Sequence, residues 1–123
     1  MDALVRREHL ETVENPNTRL DYVISLSGHI AELCRVDIRY VPDRVILAPE
    51  SLSIYFERLR NVQWVRLEDV AVAMVSDLNN ELVPRWVQLK VSGSTDGLEH
   101  HITLEDRQPK WDNSALLARI GAL

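Results

Sequence analysis

Apolar and polar positions alternate along four stretches of this chain, and apolar positions recur at helical spacing along two longer ones. Leu20, Tyr22, Ile24 and Leu26 alternate with Asp21, Val23 and Ser25, which predicts a first strand. Ser27-Gly28-His29 is read as a tight turn. Leu33, Arg35, Asp37 and Arg39 then interleave with Cys34, Val36, Ile38 and Tyr40 as a second strand, forming a hairpin with the first. Pro42-Asp43 ends it, and Val45-Ile46-Leu47 is a short apolar run. Pro49-Glu50-Ser51 opens a helix, because proline presets the first-turn φ; Leu52, Tyr55, Phe56 and Leu59 carry it to about residue 60. A second helix spans 67–82, with Val70, Ala71, Met74, Val75, Leu78 and Leu82 as its apolar stripe. Glu68 and Asp69 sit at its start, where the helix dipole favours negative charge. Beyond Pro84, Trp86, Gln88, Lys90 and Ser92 alternate with Val87, Leu89 and Val91 as a third strand. Residues 92–97 are read as a turn containing the hairpin dipeptide Asp96-Gly97, and 98–104 as a fourth strand. Before these elements, Ala3, Leu4, Leu10 and Val13 suggest an arm or a short amphipathic turn; after them, a short helix is expected around 115–120.

The order strand-strand-helix-helix-strand-strand predicts one α+β domain over residues 1–123, an antiparallel four-stranded sheet with two helices on one face. Its core is placed at about 18–105, with the N-terminal arm and C-terminal tail peripheral and the other sheet face left for a partner subunit. A chain of 123 residues supports a modest core, and 46% hydrophobic with 27% charged residues is ordinary for a soluble domain. Net charge −5 and scattered basic residues, with Lys90 and Lys110 as the only lysines, argue against a nucleic-acid polymer as partner. A small heterocycle suits this chain better. No apolar run approaches the ~20 residues that span a bilayer, and the first residues lack a long apolar leader, so no membrane partner and a cytoplasmic location are expected.

Candidate chemistry is sparse. Cys34 is the single cysteine, which excludes an intrachain disulfide and a cysteine-rich zinc site. His100 and His101 are adjacent on a strand, so they point to opposite faces and do not share one ion within a chain; no metal is expected. The four glycines are isolated and form no phosphate loop. Ser27, His29 and Glu32 are neighbours in sequence, which does not make a triad. Trp64, Trp86 and Trp111 are assigned to core or interface.

A series of local matches runs through about residues 10–105: Glu14-Asn15-Pro16, Asp21-Tyr22-Val23-Ile24-Ser25, Ile38-Arg39-Tyr40-Val41-Pro42-Asp43, Ser51-Leu52 with Tyr55, Arg60-Asn61, Glu68 and Pro84-Arg85-Trp86. In that order the chain resembles the 7-cyano-7-deazaguanine (preQ0) reductase, QueF-type, family of queuosine biosynthesis. The resemblance implies the tunnelling fold (ββααββ). Its subunits join edge to edge into a barrel with pockets between neighbours, so a homo-oligomer is expected.

The family's three functional elements fare differently. Its nitrile-attacking cysteine lies on a loop between the first two strands that is shorter here by roughly ten residues on a hairpin reading. That cysteine is missing, and Cys34 falls inside the second strand. Glu32 stands where the family has an assisting aspartate and is the one candidate catalytic residue. The family binds NADPH through a glutamate and two lysines at the first helix. Here those positions are Ala48, Glu50 and Ser53, and a pocket arginine is replaced by Asp96, so no cofactor is expected. The deazapurine-holding glutamate is matched by Glu68, the candidate substrate-binding residue, although the histidine beside it is Leu67 here. Three readings follow. The chain is a QueF-type protein without nitrile reductase activity that keeps a guanine-, deazaguanine- or pterin-like pocket between subunits; or an enzyme of 7-deazapurine metabolism working without a thioimide, through Glu32, Glu68 and a histidine; or a non-catalytic accessory subunit.

Overall fold

In the computed structural model, residues 6–121 are described. Ala3 and Leu4 of the expected arm therefore lie outside the described residues. The chain runs through β1 (Thr12–Glu14), β2 (Ile24–Ile30), β3 (Cys34–Val41), β4 (Val45–Leu47), α1 (Pro49–Arg60), α2 (Leu67–Leu82), β5 (Trp86–Thr95), β6 (Leu98–Arg107) and α3 (Ser114–Ile120). The strand order of the main sheet is β2-β3-β5-β6, antiparallel throughout, and β1 pairs with β4 in a separate two-stranded ladder. The sequence pattern misses that ladder, because three-residue strands are too short to show a period.

Pairing puts alternate residues of the sheet on one face. Val36, Ile38 and Tyr40 of β3 join Val87, Leu89 and Val91 of β5 in the core, with Ile24, Leu26, Ile102 and Leu104 packed at its margin. Helix α1 buries Leu52, Tyr55, Phe56 and Leu59 onto this face, and α2 buries Val70, Ala71, Met74, Leu78 and Leu82, each at helical spacing. Both helices thus lie where the apolar periodicity requires. Among the buried residues is one carboxylate, Asp77, fully enclosed on α2. Arg6 donates to it at 2.9 and 3.1 Å and the Tyr55 hydroxyl at 2.6 Å, so the buried charge is both paired and hydrogen-bonded.

Two turns differ from the sequence reading. Ser27-Gly28-His29 is not a turn: β2 continues through it to Ile30, and the chain reverses at residues 31–33. Gly28 is in the strand for steric reasons, since a Cβ there would lie 2.8 Å from Cε2 of Phe56 on α1. The turn instead places Glu32 at φ 63°, in the left-handed region. At the second hairpin, β5 extends to Thr95 and only Asp96-Gly97 forms the turn, with φ values of 51° and 79°. Two positive φ values match a type I′ turn, whose twist suits long paired strands.

The tail is tied into the fold more closely than a peripheral segment would be. Arg39, on the sheet face away from α1 and α2, donates to the carbonyls of Ile120 and Gly121 at 3.0 and 2.9 Å. Its guanidinium lies over the Trp86 ring, and both residues are buried. The end of α3 therefore covers part of the face left open in the sequence reading. Trp111 and Asn113 donate to Asp21 at 3.2 and 3.0 Å, and Arg85 binds both Asp21 and Asp43. One cation thus joins the segment before β2, the β3–β4 turn and the start of β5.

Candidate functional site

One end of the sheet gathers the chemistry-bearing residues. Helix α2 starts there: Arg66 is the N-cap in extended conformation, and its backbone N–H donates to the Asp69 carboxylate at 3.1 Å. This closure of the first turn sets Glu68 on an exposed flank, with its side chain about half accessible. Leu67 packs against Gly93 of β5, where an added Cβ would lie 3.3 Å from Leu67 Cδ2 and 3.2 Å from the Leu33 carbonyl oxygen. The missing side chain at Gly93 lets α2 and the β2–β3 turn close onto the sheet together.

Gly93 pairs with His100 across the β5–β6 ladder. His100 therefore stands on the helix-bearing face beside the first turn of α2. Its Nε2 lies 3.2 Å from Glu68 Oε2, and its Nδ1 lies 2.8 Å from Thr95 Oγ1. His101 points to the opposite face and bonds Ser92 Oγ at 3.0 Å, as the strand period requires. The sequence suggests a histidine acting with Glu68 but does not say which one. The cross-strand register is the signal that joins His100 to Glu68. The Glu68 carboxyl is held below its ordinary value, first by its own backbone N–H and then by His100 and Arg66.

The other predicted site residues divide. Glu32 is exposed on the β2–β3 turn, which abuts Gly93 through Leu33, so it belongs to the same end of the molecule as Glu68 and His100. Cys34 is buried and pairs with Ile30 in the ladder. Burial pushes its thiol up to about 11, so at neutral pH it stays protonated, whereas the thiolate is the form that attacks electrophiles. Ala48 is buried at the α1 N-cap, and Glu50, Ser53 and Asp96 are exposed. Next to α1, a cleft of about 350 Å³ lies between the helix and the edge strand β2. Leu26, Gly28, His29, Ser53, Phe56 and Glu57 are among its walls, which contain no lysine or arginine. Among the described residues, no group of three or more potential ligands is arranged to hold a metal ion, and no helix is long and apolar enough to cross a membrane.

No protein-family profile matches the chain. Among curated proteins it is similar to the NADPH-dependent 7-cyano-7-deazaguanine reductase of Syntrophus aciditrophicus strain SB, 26% identical over 83% of this chain and 80% of the relative. The protein of the same name from Prochlorococcus marinus strain AS9601 is 23% identical over 78% of this chain and 77% of its own. That from Aquifex aeolicus strain VF5 is 26% identical over 69% and 73%. Among solved structures, the apo archaeosine synthase QueF-Like superposes with a TM-score of 0.54 at 19% identity, over 79% of this chain and 92% of that one. Four antiparallel strands in the order β2-β3-β5-β6, two helices on one face and sequence likeness over most of the chain converge: the chain is QueF-like in sequence and tunnelling-type in fold.

Proposed function

We propose that this chain binds a guanine- or 7-deazaguanine-type ring through Glu68 and does not reduce a nitrile. The observation that carries this reading is the contrast between its two ancestral chemistries. Glu68 is exposed and ionised at the start of α2, hydrogen-bonded by His100, whereas the one thiol is buried and protonated. A carboxylate accepts two N–H bonds from an amino-pyrimidine edge, and such a pair discriminates strongly against rings that lack the donors.

The residues at the first helix do not fit a dinucleotide. NADPH carries several phosphate charges, and the α1–β2 cleft offers Glu57 and His29 with Glu50 on the adjoining first turn, carboxylates that repel phosphate with no lysine or arginine among the walls to offset them. We include in the proposal assembly of several copies through the open edges of β2 and β6, since exposed edge strands call for pairing or cover.

A second reading rests on the same end of the sheet. Glu68 and His100 are in contact, and Glu32 is on the β2–β3 turn whose Leu33 carbonyl approaches Gly93; such groups suit moving protons on a bound ring without a covalent intermediate.

The test is thermal unfolding in the presence of 7-cyano-7-deazaguanine, guanine or a pterin. A ligand of the native state raises the midpoint, and Glu68→Ala abolishes that rise. If no ring raises it, the chain is an accessory subunit. Loss of the nitrile dependent on NADPH overturns the binding-only reading.

A further inference from the structure

Resting on that reading of Glu68, the geometry points to His100 as the residue that positions its carboxylate, with Thr95 holding the imidazole at its other nitrogen. The chain of contacts is Thr95 Oγ1 to His100 Nδ1 at 2.8 Å and His100 Nε2 to Glu68 Oε2 at 3.2 Å. An ionised carboxylate only accepts, so the nitrogen facing it must carry the proton. In neutral His100 the proton therefore sits on Nε2, and Nδ1 is the acceptor for the Thr95 hydroxyl. A threonine hydroxyl donates readily, so the three groups satisfy one another in a single direction.

The consequence for recognition is orientational. Glu68 is about half accessible on a helix flank and has several rotamers open to it. His100 selects the one that leans over β6 and takes one of the four lone-pair sites of the carboxylate, leaving the others for ring N–H groups. Its own position is set by the ladder, because Gly93 directly opposite presents no side chain to crowd the imidazole. The charged groups that bear on this contact are Glu68 itself and Arg66 from α2; Glu99 and His101, the neighbours on β6, point to the other face.

Two measurements test the proposal. The first needs no ligand: long-range 15N–1H spectra of the imidazole rings, recorded at alkaline pH. The Nε2–H tautomer of His100 is expected in the native protein, with the hydrogen-bonded shift of its Nε2–H lost in Glu68→Ala. A dominant Nδ1–H tautomer, or no preference in the native protein, overturns the proposal. The second is calorimetric titration with guanine and with 7-cyano-7-deazaguanine. His100→Ala is expected to raise Kd about tenfold, and His100→Gln, whose amide N–H still reaches Glu68, to stay within about threefold of the native protein. An unchanged Kd in His100→Ala overturns positioning even if both rings bind. Failure of both rings to bind the native protein sinks the ring-binding reading itself, and the Nε2–H shift compared between the native protein and Glu68→Ala then decides alone whether His100 holds Glu68.

Discussion

At residue scale, the thiol of Cys34 and the hydrogen at Gly28 show how burial decides what a side chain does. Cys34 lies on a strand facing the core, and its thiol is pushed up to about 11 by the loss of water around it. A thiol reagent is expected to leave the folded protein unmodified over the time in which it titrates one thiol per chain in denaturant. Rapid reaction under native conditions would contradict the placement of Cys34. At Gly28 the nearest ring atom of Phe56 leaves no room for a methyl group. Gly28→Ala must displace a buried ring from the α1–β2 contact, so urea unfolding should show a loss of about 1–3 kcal/mol. A turn at this position, as the sequence reading has it, would tolerate alanine far better. Gly28 belongs to a strand because of a side chain 28 residues away, which no local pattern contains.

At the scale of elements, helices α1 and α2 agree with their apolar periodicity, because amphipathic spacing and burial are the same fact seen from two sides. The hairpins agree less well. Ser27-Gly28-His29 reads as a turn because glycine beside serine is common punctuation, whereas here the glycine answers a close approach of a helix. The polar ties between elements are equally hidden from the pattern, and they carry a pH dependence. Burial alone would raise the Asp21 carboxyl, but hydrogen bonds from Asn113, Trp111 and Arg85 outweigh it and hold it below its ordinary value. A carboxyl depressed in the folded state contributes stability that is full above its unfolded value and lost as pH falls through the folded one. Urea midpoints should therefore fall on acidification below the ordinary carboxylate range, and Asp21→Asn should flatten that fall while lowering stability at neutral pH. An unchanged acid limb in Asp21→Asn would show that this anchor does not carry it. Hydrogen exchange supplies a companion test. Arg39→Met removes the donors to Ile120 and Gly121, and the amides of α3 should then exchange faster than those of α1 and α2.

On the scale of the whole molecule, the sheet ends in two free edges, β2 and the ten-residue β6, with Leu98 on β6 largely exposed. Light scattering on the purified protein is expected to give a mass that is a multiple of 14.1 kDa at micromolar concentration. A single 14.1 kDa species at every concentration would refute edge-to-edge assembly. The sheet face opposite α1 and α2 is already occupied in part by α3, through Arg39 and the buried Trp86, so any assembly across that face must accommodate the tail.

Local patterning along the chain is enough for the class of fold, the two helices and the carboxylate at the head of the second. These follow from periodicities and breakers that act over a few neighbours and need no knowledge of distant residues. It also placed Cys34 within a strand, from alternation alone. That Gly28 continues a strand, that the tail lies on the sheet and that His100 meets Glu68 emerge from the folded molecule alone. Each depends on residues far apart in the chain: Phe56 against Gly28, Ile120 against Arg39, and a cross-strand register that brings position 100 to position 68. Long-range contact is set by packing and register together, and a one-residue slip in β6 would turn His101 rather than His100 towards the helix.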